Sequence, residues 1–148
     1  MRWNLLTRVL EIQKGKSAES EAEWVQGPVS PELLMLEMMA QTAGLVFGSI
    51  DDFQSDVVFA KVEQARFYPL QQPCVSLIIA ATGEDLRFEG GWFQTKVLSG
   101  GVLVADAKIL LANAGKLKPE MSTSITFHEH FMSHYQIRSK VQSEGAFR

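Results

Sequence analysis

Glu37 and Gln41 stand one helical turn apart in the stretch SPELLMLEMMAQTAGLVFG, Ser30 to Gly48, where most of the other residues are apolar. A carboxyl group in such company is desolvated, which disfavours its charged form and raises its pKa. An acid that keeps its proton near neutral pH can give it to a leaving group or take it back. An amide four residues further along a helix lies on the same face and can hold that carboxyl by a hydrogen bond. The plainer reading is a buried acid held by Gln41 and backbone groups with no chemistry of its own. Elsewhere, His128, His130 and His134 cluster in HEHFMSH. His130 and His134 would share a helix face, but no cysteine stands nearby and there is no HExxH pattern, so no metal is expected. Cys74, the single cysteine, excludes an intrachain disulfide and reads as an inert thiol in a turn. No phosphate-cradling glycine loop or serine-nucleophile motif is present, and no cofactor is expected.

The elements that must position Glu37 are legible around it. Ser30 is a good N-cap, Pro31 suits the first helical position, and Glu32 complements the helix dipole, so a helix is predicted over roughly 31–47. It is apolar on nearly every side, which requires something to wrap it. Four segments rich in β-branched and aromatic residues follow, at 57–70, 74–83, 91–100 and 102–112. In the last, Leu103, Ala105, Ala107, Ile109 and Leu111 form an apolar face at period two. SGG, between the third and fourth, is short enough for a hairpin. A strand region, one buried helix and then consecutive strands argue an α+β fold with an antiparallel sheet curled around the helix.

The chain has 148 residues, 46% hydrophobic and 21% charged, with net charge −3. That is enough chain for one domain with a real core, and the charge gives no nucleic-acid footprint. The N-terminal apolar stretch is broken by Arg8 and Glu11 and reads as no secretion signal, and the run after Pro31 is too short and too polar to span a membrane. A cytoplasmic protein is expected. The domain is expected over 1–112. Residues 113–148, which open on the loop NAGKLKP, are expected to be a partly ordered or disordered extension, dispensable for folding from about Met121 onward.

Three segments together resemble the 3-hydroxyacyl-acyl carrier protein dehydratases of the FabZ/FabA type, over roughly 3–112. SPELLMLEMMAQTAG is similar to the family's helix pattern P-G-x-L-x-x-E-x-x-A-Q-x-x-G, with Pro31, Leu34, Glu37, Ala40, Gln41 and Gly44 in place. VEQARFYPLQQPC resembles the family's A-R-F-x-x-P-x-x-P-G, with Ala65, Arg66, Phe67 and Pro73 matching and Leu70 and Cys74 departing. GGWFQTKVLSGGVLVADAKILLA is similar to its closing hairpin. The resemblance implies a hot-dog fold, a dimer or higher homo-oligomer, and acyl-carrier-protein or coenzyme A thioesters as substrates in fatty-acid or polyketide-type metabolism.

The family's segment before the helix reads H-F-P-G-x-P-x-x-P-G-x-x-x-x-E. Counted back from Glu37, the histidine position falls on Glu23 and the phenylalanine on Trp24, while the glycine before the helix becomes Glu32. In the family the histidine of one protomer faces the helix acid of the other. The resemblance therefore implies Glu37 as acid, Gln41 as its holder and Glu23 in the base position, where two carboxylates could share one proton. Against this, acids at 19, 21 and 23 also match the exposed face of an edge strand. Trp24 and the free N–H groups of Glu32 and Leu33 are expected at the thioester, the latter polarising its carbonyl. An ion pair is the expected role of Arg66. Three activities stay open: dehydration with an altered dyad, acyl binding as partner of a histidine-bearing paralogue, and thioester hydrolysis by Glu37.

Overall fold

The computed structural model describes residues 5–24, 27–70, 76–115, 124–125, 127 and 129–143. Its centre is the helix α1, Pro31–Ser49. Ser30 Oγ accepts the Leu33 N–H at 3.2 Å, and Pro31 opens the first turn, so the helix starts where its cap signals say. Every residue from Met38 to Ser49 is buried, polar ones included. Thr42 and Ser49 satisfy their hydroxyls by donating to the Met38 and Val46 carbonyls. The helix runs two residues beyond its expected end at 47.

Two strands precede the helix, β1 (Arg8–Gln13) and β2 (Ser17–Glu23), and four follow it: β3 (Asp56–Phe67), β4 (Ser76–Glu84), β5 (Gly90–Ser99) and β6 (Val102–Gly115). These six pair antiparallel in the order β3-β6-β5-β4-β2-β1, and α1 packs against all of them. This is the hot-dog arrangement, an antiparallel sheet wrapped around one long buried helix. The β5–β6 hairpin turns on Gly100 and Gly101, whose φ values of 54° and 83° lie in the left-handed region open to glycine. In β6 the expected apolar face holds for Ala105, Ala107, Ile109 and Leu111 but not for Leu103, which is exposed. A register shift between Val97 and Leu98 of the partner strand breaks the alternation at that end, and Val104 turns inward instead.

The C-terminal segment differs from expectation. β6 continues three residues past 112, to Gly115. Further on lie a short strand β7 (Ser124–Ile125), two short helices, α2 (Glu129–His134) and α3 (Ile137–Lys140), and β8 (Val141–Gln142). β7 pairs with the start of β3, and β8 pairs parallel with β1, so eight strands form one sheet among the described residues. Phe127, Phe131, Met132, Tyr135 and Ile137 are buried in the same core as α1. Phe127 stacks edge-on against Phe53 at 5.0 Å, and Tyr135 donates to the Leu6 carbonyl at 2.7 Å. Described residues of this segment are part of the domain's packing, so its removal from Met121 onward is expected to cost stability, against the reading of a dispensable extension.

Candidate active site

Glu37 leaves α1 immediately before the fully buried stretch, and its side chain is half-buried. Gln41 Nε2 donates to Glu37 Oε1 at 3.2 Å, and Gln41 Oε1 accepts the Leu5 backbone N–H at 3.2 Å. Gln41 is thus fixed from the strand side, and it fixes the carboxyl in turn. Burial pushes the Glu37 pKa up, and the Gln41 hydrogen bond offsets part of that rise. The pair is what the helix spacing predicts: an oriented carboxyl, readier than an ordinary glutamic acid to hold a proton. The Leu5 N–H is a partner the sequence does not signal, because every residue type except proline carries that donor.

Glu23 sits at the end of β2. Ala18, Ser20 and Ala22 of that strand are buried, while Glu19 and Glu23 are exposed and Glu21 is half-buried. Glu23 therefore leaves the strand on the face opposite the one that meets α1. Its N–H donates to Thr7 Oγ1 at 3.0 Å. The alternation matches the exposed-face reading, but β2 is paired with β1 and β4 and is not the edge strand expected; within one chain no hydrogen bond among the described residues joins Glu23 to Glu37.

At the helix N-terminus, Leu33 N–H is not free, as it was expected to be: Ser30 Oγ accepts it, and the Leu33 side chain is 61% exposed. Glu32 is exposed in the first turn. Trp24 is half-buried against the core, yet its indole Nε1 is buried without a hydrogen-bond partner among the described residues. Arg66 pairs with Asp106 at 3.1 Å on the exposed face, the ion pair expected of it. His130 and His134 are exposed on α2 with rings stacked 6.3 Å apart, and His128 lies outside the described residues, as does Cys74. Among the described residues no cluster of histidine, cysteine and carboxylate side chains could hold a metal ion.

A helix wrapped by an antiparallel sheet, with an oriented acid on that helix, defines the class of hot-dog proteins. Solved structures agree on the fold. The protein smu.793 from Streptococcus mutans, bound to acetyl CoA, superposes with a TM-score of 0.61 at 16% identity, over 80% of this chain and 96% of that one. A hypothetical thioesterase protein with coenzyme A from Streptococcus pneumoniae gives 0.58 at 11%, over 75% and 90%. No family model matches. Among curated relatives, the 3-hydroxyacyl-[acyl-carrier-protein] dehydratase FabZ of Polaromonas sp. is 32% identical over 123 residues, 72% of this chain and 83% of the relative. That of Dechloromonas aromatica is 32% identical over 124 residues, 73% and 85%. The chain belongs to this FabZ dehydratase family.

Proposed function

We propose that the chain works on 3-hydroxyacyl thioesters, carried by acyl carrier protein or coenzyme A, as the subunit that supplies the acid of a dehydratase site. Glu37 gives its proton to the 3-hydroxyl as the C3–O bond breaks. A base removes the proton on C2, the C2–C3 double bond forms, and water and a trans-2-enoyl thioester leave. The observation that carries this reading is the half-buried Glu37 carboxyl, raised in pKa and oriented by Gln41, in a chain of the FabZ family. Proton transfer by a positioned group of this kind contributes about 10²–10⁴-fold in rate.

The base is the open half of the site. Glu23 occupies the family's histidine position but faces outward in its own chain. We therefore assign the base to a second subunit, a histidine-bearing paralogue being the partner that completes the chemistry. β3 offers the docking edge: β7 covers only Val57 and Val58, and the edge from Phe59 to Phe67 carries no strand among the described residues. An uncovered edge of that length invites pairing with another chain. The expected setting is the cytoplasm, in fatty-acid or polyketide-type metabolism.

Thioester hydrolysis is the second reading. Its support is the same carboxyl with no histidine among its described partners, since Glu37 alone could activate a water against C1. Hydration of a trans-2-enoyl thioester, run beside a hydrolysis control, separates the two. Hydration lost in Glu37→Gln supports the dehydratase reading. Hydrolysis without hydration, lost in the same variant, transfers the assignment to a thioesterase.

A further inference from the structure

Tyr135 ties the C-terminal segment to the backbone beside the acid. Its hydroxyl donates to the Leu6 carbonyl at 2.7 Å, across 129 positions of sequence. Both residues are buried, and burial pushes the Tyr135 phenol above its ordinary pKa, so it keeps its proton and remains a donor. In the row formed by Phe127, Phe131 and Tyr135 the rings meet edge-on, at 6.0 Å and 5.0 Å. That packing asks for no polar atom, and a phenylalanine ring would serve it. What the hydroxyl adds is one hydrogen bond to one peptide group, and that group adjoins a residue of the site.

Leu5 and Leu6 run into β1 but lie outside its register with β2, which begins where Arg8 meets Glu21. The ladder does not set their peptide planes. Side chains do: the Leu6 carbonyl accepts from Tyr135, and the Leu5 N–H donates to Gln41 Oε1 at 3.2 Å. Gln41 Nε2 in turn donates to Glu37 Oε1 at 3.2 Å. The two backbone groups are the ends of one dipeptide, so a tilt at one end is felt at the other. β1 packs against both α3, which follows Tyr135, and α1, which carries Gln41 and Glu37. Its lead-in is where the C-terminal segment meets the site helix.

We propose that Tyr135 is a positioning residue for the acid: by holding the Leu6 carbonyl it sets the Leu5 N–H, and through Gln41 the carboxyl of Glu37. Its effect on rate rests on the dehydratase reading; its effect on Glu37 rests on the hydrogen bonds alone. An amide held at its oxygen presents its nitrogen in one direction. Once the Leu5 N–H shifts, Gln41 turns about its terminal bonds, which have broad wells. Glu37 then loses the bond that offsets part of its desolvation, and its pKa rises further. Its proton also loses a fixed direction, and small misplacements of a reacting group cost up to about 10²-fold in rate. Tyr135 does this through the backbone of Leu5 and Leu6, without meeting substrate.

The test follows the Glu37 carboxyl by ¹³C NMR through a pH titration of the full chain. Tyr135→Phe should raise the Glu37 pKa above that of the native chain. Ile137→Val trims a buried side chain of the same segment and keeps the Leu6 bond, so the Glu37 pKa should stay at its native value. With a histidine-bearing family member added, Tyr135→Phe should lower kcat for enoyl hydration by about tenfold with KM little changed, while Ile137→Val keeps the native rate. If Tyr135→Phe does not fold, hydrogen exchange of the native chain in mild denaturant replaces it. The Leu5 amide should then open together with the Tyr135 amide, which donates to the Phe131 carbonyl. Three results overturn the inference and leave the dehydratase reading intact: a Glu37 pKa that Tyr135→Phe leaves unchanged or that Ile137→Val moves as far, an unaltered kcat in an active mixture, or a Leu5 amide still protected after the Tyr135 amide has opened. A pKa that moves as expected, in a mixture that hydrates no enoyl thioester even with the native chain, keeps the positioning role and overturns the dehydratase reading.

Discussion

Glu37 and Gln41 were readable from sequence because their relation is local: a spacing of four on a helix fixes a shared face whatever the rest of the chain does. The raised pKa carries a consequence for stability. A carboxyl held at a pKa above its unfolded value binds more protons in the folded state over the window between the two values. Stability from this group therefore falls as pH rises from the ordinary value of 4.5 through the raised one, and the loss is complete above it. Glu37→Gln removes the charge yet can still accept from Gln41. The variant should match or exceed the native melting temperature at pH 7–8, with the difference shrinking toward pH 4, as followed by thermal denaturation across that range. Glu23 was ambiguous because sequence places it both in the family's histidine position and in an acidic alternation. Only the fold says that the alternation's outward side is the one it takes.

At the scale of elements, α1 and its strands follow from caps, period and turn chemistry, while the docking of the C-terminal segment does not. The signal was present in part: Phe127, Phe131 and Tyr135 step by four, a helical stripe. The described helix is short, however, and Phe127 lies outside it. What seats the stripe is a notch elsewhere: a Cβ on Gly48 would lie 2.6 Å from the Phe127 ring and 2.7 Å from Phe53. No local pattern links Gly48 to Phe127. Gly48→Ala should therefore destabilise, and the loss should shrink when Phe127→Ala is already present, a coupling read by a double-mutant cycle in denaturant. Tyr135→Phe leaves the Leu6 carbonyl without its buried donor, a loss of about 1–3 kcal/mol. Chemical denaturation measures it directly.

For the whole molecule, the C-terminal segment covers part of each sheet edge among the described residues. β8 pairs with Ile12 and Gln13 at the end of β1 and β7 with Val57 and Val58 near the start of β3, so the longer uncovered stretch, Phe59 to Phe67, is on β3. Association is expected along the longer uncovered stretch of β3, and the chain should sediment as a dimer at micromolar concentration, alone or with a paralogue. Truncation after Pro119 removes several buried aromatics, each worth about 3–5 kcal/mol. It should lower the melting temperature by more than about 10 °C at about 2–4 °C per kcal/mol. A truncated chain that melts with the native one would contradict the packing described for Phe127, Phe131 and Tyr135.

The central claim is that Glu37 moves a proton on an acyl thioester. Its most direct measurement is the rate of trans-2-enoyl thioester hydration by this chain mixed with a histidine-bearing family member, native against Glu37→Gln. The sites to which this chain donates its acid should lose activity by about a hundredfold or more. A Glu37→Gln mixture that hydrates the enoyl thioester as fast as the native mixture would contradict the claim.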